Sequence, residues 1–162
     1  MTRLLFVCTG NTCRSPMAEV IARAAAARRG LVIEVGSAGL MAGSGEPASE
    51  HAQALAADHG LDLSTHRATA VTPELLGLFD LVLGMARRHV DALAGAVPGT
   101  RAGLLTEFLP EGHELAGAQI ADPFGGDRAA YERTWAEIQA AVEAVLDHLE
   151  RAERTEPGGE GE

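Results

Sequence analysis

Cys8 and Arg14 are separated by five residues in the stretch VCTGNTCRSP, a thiol at the end of an apolar run and a guanidinium just ahead of Ser15 and Pro16. The residues between them, Thr9, Gly10, Asn11, Thr12 and Cys13, are small, so successive backbone N–H groups can turn inward as an anion nest. A helix starting behind them adds the positive end of its dipole. A phosphate group suits such a nest. Arg14 offers a planar fork of donors for two phosphoryl oxygens, contacts that tighten as the group flattens in a transition state. The same donors and charge favour a thiolate at Cys8, a nucleophile toward phosphorus, and imply a phosphocysteine that water later hydrolyses.

The departing group needs a proton, and the water must later lose one, so a carboxyl has to reach the same point. Asp122 is the candidate. It precedes Pro123, which pushes it to extended geometry, in a loop whose Gly125 and Gly126 let it fold over the phosphate. Asn11 is suited to bridging loop carbonyls, and Ser15 to donating its hydroxyl to the thiolate. Each residue alone has a plainer reading: a cysteine after a strand is a small hydrophobe, and Asp-Pro is a turn. The loop, the strand before it and the helix behind it agree on one site, which favours the chemical reading. The spacing does not match a nucleotide-binding GxxxxGK[ST] loop.

The elements that must position these residues follow from apolar patterning. Leu4 to Val7 is a continuous apolar run, as in a strand buried on both faces of a parallel sheet. A helix follows, with Ser15 at the cap position and Pro16 at the first helical position, ending at Arg29-Gly30. Leu31 to Ser37 predicts a second strand, Pro47 to His59 a helix, Thr72-Pro73-Glu74 the start of a short helix to about Leu78, and Leu81 to Met85 a third strand. Arg87 to Leu93 predicts a helix, Ala102 to Leu105 a fourth strand, and Asp127 caps a helix reaching about Arg151, with Tyr131, Trp135, Ile138, Val142, Val145 and Leu149 on one stripe. Strands alternating with helices imply a doubly wound sheet whose ligand site lies at the carboxyl ends of the strands, where the Cys8–Arg14 loop stands.

The 162 residues suit one domain over residues 1–150, with residues 151–162 as a disordered acidic tail. A net charge of −10 argues against nucleic acid as a partner. No apolar run is long enough for a membrane span and no signal-peptide pattern opens the chain, so a cytoplasmic protein is expected, and a monomer. The two cysteines both lie in the opening loop, which suggests reactivity rather than scaffolding. His51, His59, His89, His113 and His148 share no metal-ligand spacing and read as surface residues, Arg87 and Arg88 as a solvated pair.

VCTGNTCRSPMAE at Val7 to Glu19, SAG at Ser37 to Gly39, DLVLGM at Asp80 to Met85 and DPFGG at Asp122 to Gly126 resemble, in order and spacing, the low-molecular-weight protein tyrosine phosphatases. The resemblance implies an α/β three-layer sandwich, a four-stranded parallel sheet with helices on both faces, no metal and no cofactor. It implies that Cys8 is the nucleophile, Arg14 the phosphate binder and Asp122 the general acid, with Asn11, Ser15 and His66 as a supporting network. Thr9, Gly10, Asn11, Thr12 and Cys13 would bind substrate with Phe124. Cys13 resembles the family's second loop cysteine, which can trap an oxidised nucleophile as a disulfide.

Thr12, Leu40-Met41 and DPFG stand where tyrosine-specific members carry an aliphatic residue, an aromatic and DPYY, and these differences resemble the bacterial protein arginine phosphatase branch. A phosphorylated protein is then the expected partner, with phosphoarginine preferred. A phosphoguanidinium wants a carboxylate and a hydroxyl, which Asp122 and Thr12 can present, whereas a phosphotyrosine ring wants apolar walls, of which Phe124 is one. Tyrosine phosphatase activity is the alternative. Arsenate reduction lacks the further cysteines that relay oxidation, and a phosphoryl carrier has no use for Asp122.

Overall fold

The computed structural model describes residues 1–96 and 101–155. In chain order the elements are β1 (Thr2–Cys8), α1 (Arg14–Arg29), β2 (Ile33–Gly39), α2 (Glu50–Asp58), α3 (Pro73–Leu76), β3 (Leu81–Gly84), α4 (Arg87–Leu93), β4 (Arg101–Leu104), a 3-10 turn (Leu105–Phe108) and α5 (Arg128–Thr155). The four strands form one parallel sheet in the order β2-β1-β3-β4. The chain leaves β1 toward one edge and returns to its other side at β3. That reversal opens a crevice beyond the carboxyl ends of β1 and β3, the place where doubly wound sheets bind ligands.

β1 is apolar throughout because both its faces are covered. Leu4 and Phe6 pack with Met17, Ile21, Ile138, Val142 and Val145 of α1 and α5, while Leu5 and Val7 pack with Val82, Leu76 of α3 and Leu93 of α4. Helices therefore cover both faces, a three-layer α/β sandwich. Among the described residues, no helix is long and apolar enough to cross a membrane.

Several boundaries differ from the sequence reading, each for a local reason. Gly30 adopts φ 68° and Leu31 N–H bonds back to Ala26 O at 2.9 Å, so Leu31 closes α1 and β2 starts at Ile33. Ser49 accepts from Ala52 N–H at 3.3 Å, which starts α2 later than Pro47. Glu107 reaches back to Leu104 N–H at 2.9 Å and turns Leu105 into a 3-10 helix rather than strand. Thr72 and Asp127 cap α3 and α5, accepting from Leu75 N–H at 3.1 Å and Ala130 N–H at 3.0 Å.

Two expectations need correction. Ser15 does not cap α1: the helix begins at Arg14, and the Ser15 hydroxyl turns inward instead. The expected tail is helical over residues 151–155, because Arg29 grips Glu150 at 2.6 Å and the good helix formers Arg151, Ala152, Glu153 and Arg154 extend an established helix. The remainder of that tail, residues 156–162, lies outside the described residues.

Candidate active site

The loop from Cys8 to Arg14 leaves the end of β1 and enters α1 directly. Its carbonyls are turned outward and engaged: Cys8 O accepts from Leu40 N–H at 3.0 Å, Thr9 O from Met41 N–H at 2.8 Å and Thr12 O from Ser49 N–H at 2.9 Å. Among the described residues, the amides of Gly10 and Thr12 take no protein acceptor. Asn11 holds the turn at φ 56°, a left-handed conformation that asparagine tolerates better than most residues. Gly39 permits the loop to lie against β2, since a Cβ there would stand 2.7 Å from Thr9 O and 2.8 Å from Asn11 N.

A chain of hydrogen bonds fixes Cys8, and its direction can be deduced. Glu19 accepts from Ser37 Oγ at 2.6 Å, so Ser37 accepts in turn from Asn11 Nδ2 at 3.0 Å. Asn11 Nδ2 also donates to Ser15 Oγ at 2.8 Å, which leaves the Ser15 hydrogen between Cys8 Sγ at 2.9 Å, the nearer acceptor, and Ala38 O at 3.4 Å. Asn11 N–H is a second donor to that sulfur at 3.3 Å. The asparagine is itself locked, its Oδ1 accepting from Thr69 N–H and its carbonyl from His66 Nε2–H, both at 2.8 Å. Arg23 braces the far end by donating to Glu19. The sulfur of Cys8 thus sits buried within reach of the Ser15 hydroxyl and the Asn11 amide.

Arg14 is 1% exposed. Its NH1 donates to Ile120 O at 2.8 Å, which sets the plane of the guanidinium. Nε is buried without a partner, and NH2 lies 3.6 Å from Asp122 Oδ2. The Nε–NH2 edge is therefore the edge open to an incoming anion. Burial draws the Arg14 pKa below its usual value, and the charges of Cys8 and Asp122 oppose that shift.

Asp122 and Phe124 come from the loop ahead of α5. Asp122 Oδ1 accepts from Phe124 N–H at 3.1 Å, and Gly126 N–H closes a turn on Pro123 O at 2.8 Å with Gly125 at φ 82°, the left-handed position such a turn requires. Cys8, Thr9, Gly10, Thr12, Cys13, Arg14, Asp122 and Phe124 line one cavity of about 210 Å³. Asn11, Ser15 and His66 stand behind it. Tyr131, on the buried stripe of α5, brings its hydroxyl to 3.2 Å from Cys13 Sγ; burial, and then that contact, push its pKa up to about 12, so it keeps its proton.

The sequence reading missed three supports of the loop, Glu19, Ser37 and Thr69, although Glu19 and Ser37 sit inside the stretches that carry the resemblance. It also misplaced His89. The other four histidines read as surface residues are exposed, but His89 is 0% exposed beneath the loop. Burial first, and the neighbouring positive charges of Arg14 and Arg88 next, lower its pKa to about 4, so the ring is neutral. Arg87 lies 3.6 Å from Glu107.

The chain is similar to known proteins over nearly its whole length. A protein-arginine-phosphatase of Bacillus subtilis is 34% identical over 93% of this chain and 99% of its own. A probable low molecular weight protein-tyrosine-phosphatase of Erwinia amylovora, AmsI, is 33% identical over 91% and 97%. The solved structure of a YwlE arginine phosphatase mutant with a phosphorylated active site serine superposes with a TM-score of 0.86 at 32% identity, covering 96% of this chain and all of that one. The model of the low molecular weight phosphotyrosine protein phosphatases matches residues 3–155, and the chain belongs to that family.

Proposed function

We propose that this chain hydrolyses phosphorylated protein side chains, phosphoarginine in preference, with Cys8 as nucleophile, Arg14 as phosphoryl clamp and Asp122 as acid and then base. One observation carries the reading: a sulfur within reach of a hydroxyl and an amide, the unpartnered Nε of a buried arginine and a carboxylate border the same cavity. In the first step the Cys8 thiolate forms an S–P bond as the P–N bond of phosphoarginine breaks, and protonated Asp122 gives its proton to the departing nitrogen. In the second, Asp122 takes a proton from water as the water oxygen bonds to phosphorus. The S–P bond breaks, phosphate leaves, and the Ser15 hydroxyl stabilises the returning thiolate. Amides of the loop from Thr9 to Cys13, with Arg14, hold the equatorial oxygens, while Asn11 and His66 keep that loop in shape.

The phosphoarginine preference is supported by Thr12 and Asp122, which put a hydroxyl and a carboxylate at the rim where the N–H groups of a guanidinium need acceptors. The Bacillus subtilis relative carries that activity in its name. Phe124 favours the second reading, phosphotyrosine, because its exposed ring offers a stacking wall. The chain acts as a monomer in the cytoplasm, with both cysteines free in the structure. Turnover of phosphoarginine and phosphotyrosine peptides by the wild type, Cys8→Ser and Thr12→Ile tests both levels. Cys8→Ser should abolish turnover, and normal turnover by it ends the proposal. Thr12→Ile should shift the arginine-to-tyrosine ratio of kcat/KM toward tyrosine by about ten-fold. An equal response to both substrates assigns Thr12 to packing alone.

A further inference from the structure

His89 uses both ring nitrogens, and only one of them has a structural task. Nδ1 accepts Ala86 N–H at 3.0 Å, serving the start of α4, where alanine has no side-chain oxygen to do so. A nitrogen that accepts carries no proton, so the hydrogen of the neutral ring resides on Nε2. Nε2 lies 3.0 Å from Thr9 Oγ1, a partner 80 residues away in the chain. Thr9 therefore accepts from His89, and its own O–H is left to donate elsewhere. Thr9 lines the cavity. The imidazole can stand this close to the end of β3 because Gly84 has no side chain: a Cβ there would meet His89 Cβ at 2.9 Å.

We propose that His89 is a positioning residue that fixes the Thr9 hydroxyl as a hydrogen-bond donor into the cavity, to an oxygen of the bound phosphoryl group. The inference rests on the reading of the cavity as a phosphoryl site. A helix start alone would be served by any acceptor on the His89 side chain; the second nitrogen adds a directed link to the loop that follows Cys8. Because burial and the adjacent guanidinium of Arg14 keep the ring neutral, the order of donors is the same throughout the neutral pH range.

Inorganic phosphate, which binds without turnover, is the probe, with affinity measured by calorimetry on the full chain. A hydrogen bond to a charged oxygen in a buried site corresponds to about ten-fold in affinity. Thr9→Val should lose about that factor and Thr9→Ser should recover nearly all of it. His89→Gln should weaken phosphate comparably in the wild type, yet by less than about two-fold in the Thr9→Val background, since a positioning residue has nothing left to position there. Equal losses in both backgrounds, or wild-type affinity in Thr9→Val, overturn the proposal. The imidazole 15N spectrum of the wild type needs no variant and should show the Nε2-protonated tautomer; a proton on Nδ1 overturns it as well. A wild type that binds no phosphate would sink the reading of the cavity itself, whereas phosphate binding with additive variants sinks only the link through His89.

Discussion

The two loops that face each other across the cavity are built in opposite ways. In the Cys8–Arg14 loop, Asn11 and Arg14 are 0–1% exposed, and Asn11 by itself is held by Ser15, Ser37, Thr69 and His66. In the loop from Asp122 to Gly126, the hydrogen bonds close within the loop itself, Phe124 is 74% exposed and the Asp122 carboxylate meets Arg14 only at 3.6 Å. Under the proposed function the difference matches two kinds of work. A nucleophile and a clamp act on one phosphorus and gain from being ordered before substrate arrives. An acid that serves first the leaving atom and then a water, and that must admit substrate between these events, gains from freedom to move.

That contrast can be broken experimentally. The largest effect is expected at Asp122: Asp122→Asn should lower turnover of phosphoarginine or phosphotyrosine peptides by about 10²–10⁴-fold. It should change the unfolding free energy measured in urea by no more than about 0.5 kcal/mol, because the Asp122 carboxylate is part-exposed and meets the buried Arg14 only at 3.6 Å. With p-nitrophenyl phosphate, whose leaving group scarcely needs a proton, the loss should shrink; an undiminished loss would show that Asp122 does something other than donate a proton.

The opposite loop should respond in stability. Asn11→Ala removes the partners of Ser15, Ser37 and Thr69 and places alanine at φ 56°, so urea denaturation should register a loss of about 2–3 kcal/mol together with lower activity. A variant as stable as the wild type would remove the distinction between the loops.

The smallest effect is a pH dependence beneath the Cys8 loop. His89 has a pKa of about 4 in the fold against 6.5 for the free side chain, so between these values the unfolded chain binds a proton that the folded one refuses. Stability is then fully present above about pH 6.5 and falls as pH drops toward 4, by about 1 kcal/mol between pH 7 and 5.5. Urea midpoints at the two pH values check the sign, and His89→Gln should flatten the difference.

Much of this molecule was legible locally. The apolar run of β1, the caps Thr72 and Asp127, the extent of α4 and the stripe of α5 each follow from a few neighbouring residues, and the resemblance of the quoted stretches pointed to the same loop and the same Asp122. The errors arose where a local signal had a distant competitor. Ser15 looks like a cap in a sequence window, but Cys8 and Asn11 claim its hydroxyl once the loop closes. His89 looks like a solvated histidine, yet α4 carries it under the Cys8 loop at the end of β3.

By itself, the sequence determined the elements, the thiol and guanidinium at a loop's spacing, and the acid in a turn, because propensity, patterning and motif spacing act over a few residues. Tertiary structure alone decided the rest: that Ile120 O sets the plane of Arg14, that Glu19 and Ser37 orient the chain of donors to the sulfur, that Tyr131 reaches Cys13, and that His89 is buried. Most of those contacts join residues 80 to 118 positions apart: the strand order β2-β1-β3-β4 brings the ends of β1 and β3 side by side for His89 and Ile120, and the packing of α5 on α1 brings Tyr131 to Cys13.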